Sequence, residues 1–217
     1  MRGISSKNKL DELILKLQTI SDEQWCDYQF QRELLVEKVS LSEQQRWGAL
    51  ARECGKTLAE TINRKYCTRN IQELCDRLDV AISYGETAWR NDRLTLATYD
   101  ETTGICLMAE PIQKFEQANI TALPLEKVTS LILAHELYHH LETRDPTLYT
   151  QQKTLELWRF FGYRHQSKIR ALSEIAAMSF SEKLNNVGFS PYVLEVAMTW
   201  PYDPQLCEHL VQSFQSF

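Results

Sequence analysis

Apolar residues recur at helical spacing over most of the chain. Leu10, Leu13, Leu17 and Ile20 share one side of a helix expected over about 9–19. Ser21 with Gln24 has the form of a capping box, which predicts a second helix over about 22–38 carrying Trp25, Leu35 and Val39. Ser40 with Glu43 repeats that form. The third helix then runs to about Lys65, with Trp47, Leu50, Ala51, Cys54, Leu58 and Ile62 at helical spacing. A shorter helix is expected near 71–78. The period then changes: residues 80–84, 93–99 and 104–112 alternate in part, as strands do. The turn-rich run Asp100-Glu101-Thr102-Thr103-Gly104 joins the last two as a β-hairpin. Pro111 cannot donate to a ladder, so the second strand ends there or lies on an edge.

Helical spacing returns at 126–142, through Val128, Leu131, Ile132, Leu133, Leu137 and Leu141. Pro124 suits the first turn of this helix, and Asp145-Pro146 stops it after about Arg144. Beyond it the expectation is a helix through 150–162 and another over about 168–186, stopped at Asn185-Asn186 before Gly188. Ser190-Pro191 and Asp203-Pro204 open two more. The reading is an α+β fold, mostly helical, with a small antiparallel sheet.

Composition narrows the function classes. With 217 residues the chain can bury one proper core, and its 43% hydrophobic and 24% charged content is ordinary for a globular protein. A net charge of −5 without a long basic run argues against direct nucleic-acid binding. No apolar run nears the roughly 18 residues of a membrane span. The N-terminal residues have no apolar segment behind their charges, so a secretory signal is not expected. The six Cys form no CxxC pair, which suggests free thiols and a cytoplasmic setting.

The chemistry is concentrated in His135-Glu136-Leu137-Tyr138-His139, an HExxH pattern. Residues four apart on a helix lie one above the other, so both imidazoles can reach one Zn²⁺ at about 2.0–2.1 Å. Glu136 follows one step around the helix, where it can act as general base toward a water at the metal. A catalytic zinc site wants three protein ligands and one open position. Glu142 lies on the ligand face, but seven residues of helix span about 10 Å of axis, too far for three side chains to converge. Its removal is therefore expected to leave the metal held. His165 sits in a polar stretch with Arg164 and Lys168. Glu174 is the best third ligand, because it comes from a separate helix whose Ala177 and Ser181 allow close approach. An oxyanion donor is not identified; Tyr138, His140 and His165 are the candidates.

This order of elements resembles the ImmA/IrrE family of metallo-endopeptidases. The likeness rests on Ile71-Gln-Glu-Leu-Cys-Asp-Arg-Leu-Asp-Val80 before a strand, then the hairpin and the Ala-His-Glu-Leu-Tyr-His-His helix. The run Glu174-x-x-Ala177-x-x-Phe180-Ser181-x-x-Leu184 completes it, and about residues 43–186 are covered. The resemblance implies a zincin-like fold, with zinc on His135, His139 and Glu174 and Glu136 as base. It also implies a protein substrate, a transcriptional repressor or regulator that binds DNA. The expected organisation is an N-terminal helical extension over 1–40 packed on the core, a metallopeptidase core over 41–188, and C-terminal helices of the same domain over 189–217. The alternative function is a metal-bearing regulator that binds a repressor or toxin-system partner without cutting it.

Overall fold

The computed structural model describes residues 6–86, 89–90 and 93–215. Residues 1–5, part of the N-terminal stretch read above for a signal, lie outside them. Helix α1 (Ser6–Leu17) buries Leu10, Leu13, Ile14 and Leu17. Helix α2 (Asp22–Gln31) starts from the Ser21 capping box, with both reciprocal bonds to Gln24 made. It ends at Gln31, not near residue 38, and only a 3-10 turn (Val36–Lys38) follows. The reason is Glu33. Its carboxylate accepts the Leu35 amide at 3.2 Å and, across the fold, the Ala171 amide at 2.8 Å. The chain turns there to place that carboxylate, and Leu34 is left 96% exposed.

Helix α3 (Leu41–Tyr66) starts from the second capping box, at Ser40, and α4 (Ile71–Arg77) from Asn70. Strand β1 (Ile82–Gly85) follows, then the short ribbon β2 (Trp89–Arg90) with β3 (Arg93–Leu94). The expected hairpin is β4 (Ala97–Asp100) with β5 (Gly104–Met108), paired antiparallel. In its turn Asp100 Oδ1 accepts the Thr102 and Thr103 amides, and Gly104 takes a φ of +82°. A Cβ there would also lie 2.2 Å from the Ala81 carbonyl oxygen. The sheet order is β1-β5-β4 with β1 parallel to β5, so β4 is an edge.

Helix α5 (Ala109–Gln117) begins where strand was expected to continue. Pro111 is its third residue, within the first turn, where no amide donor is needed. Helix α6 (Leu125–Arg144) bears the HExxH motif and stops before Asp145-Pro146 as expected.

The expected helix at 150–162 is absent. A single turn, α7 (Tyr149–Gln152), gives way to an antiparallel ribbon of β6 (Thr154–Phe160) and β7 (Tyr163–Lys168). Phe161 and Gly162, both at positive φ, make its turn. Helix α8 (Arg170–Asn185) closes on Asn186 in the left-handed region, followed by α9 (Val193–Thr199) and α10 (Pro204–Gln215). The fold is thus α+β and mostly helical, with a small sheet.

Helix α8 lies between α3 and α6 and fixes the site. A Cβ on Gly55 of α3 would stand 2.1 Å from the Ala176 carbonyl oxygen, so only glycine permits this approach. Toward α6, Ala177 and Ser181 are fully buried, and the Ser181 hydroxyl donates to the Leu131 carbonyl at 2.7 Å. Ser130 and Asn185 bond to each other at the far end of the same contact. All six cysteines are free thiols; Cys26, Cys75 and Cys207 are buried and Cys67 is exposed.

Candidate metal centre

The four-residue spacing on α6 puts His135 Nε2 and His139 Nε2 3.1 Å apart. Glu174 Oε2, from α8, stands 3.4 Å from His135 Nε2. One ligand atom from each of the three residues lies within 4.8 Å of the others. Ligands at about 2.0–2.1 Å from a tetrahedral zinc are necessarily about 3.3–3.4 Å apart. The donor set of two imidazoles and a carboxylate, at this spacing, fits such an ion.

Electrostatics agree with that fit. Burial alone would raise the Glu174 carboxyl, but the His135 hydrogen bond and the charges of His135, His139 and Arg170 hold it at about 2. Burial alone would lower His135, yet its bond to Glu174 and that carboxylate's charge raise it above its usual value. His135 Nδ1 is buried with no partner among the described residues.

Glu142 is not in the ligand cluster, as expected, but it touches one of its members. It is buried, and its Oε2 accepts from His139 Nδ1 at 3.4 Å and from the Ser173 hydroxyl at 2.5 Å. Burial pushes its carboxyl up, but the bonds from His139, Ser173 and Thr150 outweigh that and leave it below its ordinary value. A carboxylate on the far nitrogen of a ligating imidazole fixes the tautomer and ring orientation. The i,i+3 spacing on α6 sets Glu142 beside His139, but Ser173 belongs to α8 and has no place on that helical wheel.

His135, Glu136, His139 and Glu174 all open on one cleft of about 760 Å³. Residues 94–99 form one wall, so the β4 edge runs beside the motif. The opposite side is built from both ends of the chain. Tyr28 of α2 and Arg32, the residue that caps its C-terminus, meet Glu195 of α9, with the Tyr28 hydroxyl 2.8 Å and Arg32 Nη1 2.5 Å from Glu195 Oε2. Sequence reasoning missed this trio, and nothing local in α2 or α9 marks it.

The three expected oxyanion candidates are elsewhere. Tyr138 is fully buried with its hydroxyl 2.9 Å from Thr150 Oγ1. His140 is buried beside Tyr99 and Arg144, and burial together with the Arg144 charge lowers it to about 4. His165 stacks on Trp158 in the β6–β7 ribbon. Comparison with known protein families, curated proteins and solved structures finds no match for this chain.

Proposed function

We propose that this chain is a zinc-dependent endopeptidase that cuts a specific intracellular protein. The observation that carries the reading is the convergence of His135, His139 and Glu174 at one end of an open cleft that Glu136 also lines. The order of motifs resembling the ImmA/IrrE family points to a cytoplasmic enzyme whose substrate is a DNA-binding regulator. His135 and His139 through Nε2, with Glu174, would hold the ion, and Glu142 with Ser173 keeps the His139 ring in place. A bound zinc supplies Lewis-acid polarisation and lowers the pKa of water toward about 7.

The remaining work falls to the protein. An extended peptide adds its backbone to the β4 edge, beside the motif helix. Glu136 takes the proton of the attacking water and returns it to the leaving amine. Zinc retention alone does not require Glu136, and its position on the cleft wall favours hydrolysis over a purely regulatory metal protein.

The test is to incubate the metal-loaded chain with the product of a neighbouring regulator gene and read intact masses. A single discrete cut by wild type, absent with Glu136→Gln, is expected. Stable binding without a cut would favour the non-cleaving regulator instead.

A further inference from the structure

Hydrolysis needs a donor for the carbonyl oxygen as it gains charge, and none of the three groups suggested by sequence reaches the cleft. Two cationic side chains line it among the described residues, Arg32 and Arg170. Arg32 is committed to Glu195 at 2.5 Å and to the Tyr28 hydroxyl at 3.1 Å. Arg170 is not. Its side chain is 84% exposed, and its Nε stands 3.5 Å from Glu174 Oε1, a charge contact longer than a good hydrogen bond.

Position follows from the helix. Arg170 opens α8 one turn before Glu174, on the same face. Glu174 turns Oε2 toward His135 Nε2 and Oε1 toward Arg170. The guanidinium is therefore one carboxylate away from the ligand cluster, on the cleft side, with most of its five N–H donors unspent among the described residues.

We propose that Arg170 is the oxyanion donor, a catalytic residue of the peptidase reaction inferred above, on which this role rests. Water oxygen forms a bond to the carbonyl carbon while its proton passes to Glu136, and the π pair moves onto the carbonyl oxygen. Arg170 donates to that oxygen through its planar guanidinium. The pair then returns as the C–N bond breaks, and Glu136 gives its proton to the amine. The rival role is orientation of Glu174 alone, which would make Arg170 a positioning residue.

The two roles separate on the full-length chain loaded with Co²⁺, whose visible absorption reports a new ligand without any turnover. Inorganic phosphate is the tetrahedral oxyanion probe, and imidazole is the neutral control. Arg170→Ala should weaken phosphate binding at least about tenfold, while imidazole and Co²⁺ affinities stay within about threefold of wild type. Arg170→Lys, which keeps the charge without the planar fork, should fall between. Unchanged phosphate affinity in Arg170→Ala would overturn the proposal and leave the metal centre standing. A loss of about 10–100-fold in Co²⁺ affinity would instead assign Arg170 to orienting Glu174. Wild type that takes up no Co²⁺ would remove the peptidase reading and this role with it.

Discussion

Two carboxylates flank one imidazole pair and are held by different neighbours. Glu174 faces His135 Nε2 in the ligand cluster, whereas Glu142 sits behind His139 on its Nδ1 side. Removing an outer carboxylate typically costs about 10–100-fold in metal affinity. Glu142→Ala should therefore raise the zinc dissociation constant by that factor, and Glu174→Ala by considerably more. Titration of both variants against a chelator of known affinity measures the two losses, and equal losses would contradict the assignment. The spacing of the motif made the His pair legible in the sequence. Glu174 was legible through its small neighbours Ala177 and Ser181. The work of Glu142 was not, because its second partner, Ser173, lies 31 residues away and on another helix. His140 offers a separate test. The unfolded chain takes a proton near pH 6.5, but the folded chain resists it until about 4. The stability this contributes is present above pH 6.5 and lost as pH falls toward 4. In metal-free protein, thermal midpoints should fall more steeply from pH 7 to 5 in wild type than in His140→Asn. Parallel slopes would exclude the effect.

Among the elements, α8 carries the strictest packing demand, since its backbone meets Gly55 of α3 without room for a methyl group. Gly55→Ala should force the two helices apart and destabilise the fold by about 1–3 kcal/mol, despite alanine's better helix propensity. Chemical denaturation reads this directly, and a stabilised variant would contradict the observed approach. The capping boxes were read correctly, since Ser21 and Ser40 cap their helices, whereas Pro124, expected in the first turn of the motif helix, is its N-cap, and α9 starts at Val193, beyond Ser190-Pro191. The β6–β7 ribbon was misread because Leu155, Leu157, Trp158, Phe160 and Phe161 look like a helical apolar cluster. The better signal was the alternation ending in Phe161-Gly162. Its outer part is exposed at Trp158, Phe160 and Phe161, the last 95% exposed, so no burial pattern corrects the local ambiguity. Helix α5 was missed for the opposite reason. Its Pro111 suggested the end of a strand, whereas a first helical turn tolerates proline equally well.

At the scale of the molecule, the two chain ends build part of the cleft. Trp25 stacks on Tyr192 with ring centroids 5.3 Å apart, and Asp11 accepts the Thr121 and Ala122 amides. Glu33 holds the start of α8 three residues before Glu174. Glu33→Ala should cost about 1–3 kcal/mol, because it leaves the buried Ala171 amide without its partner. Removing residues 1–40 should abolish cooperative unfolding as followed by circular dichroism, since Trp25 and Phe30 leave the shared core. A shortened chain that melts as wild type does would make those residues a dispensable appendage. These long-range contacts have no local signature, which is why the candidate metal-binding residues were legible in the sequence and Tyr28, Arg32 and Glu195 were not. The account as a whole stands on the metal. Elemental analysis of the purified protein should find about one zinc per chain in wild type and in Glu136→Gln, and none in His139→Ala. Wild type with both histidines intact and no tightly bound transition metal would contradict it.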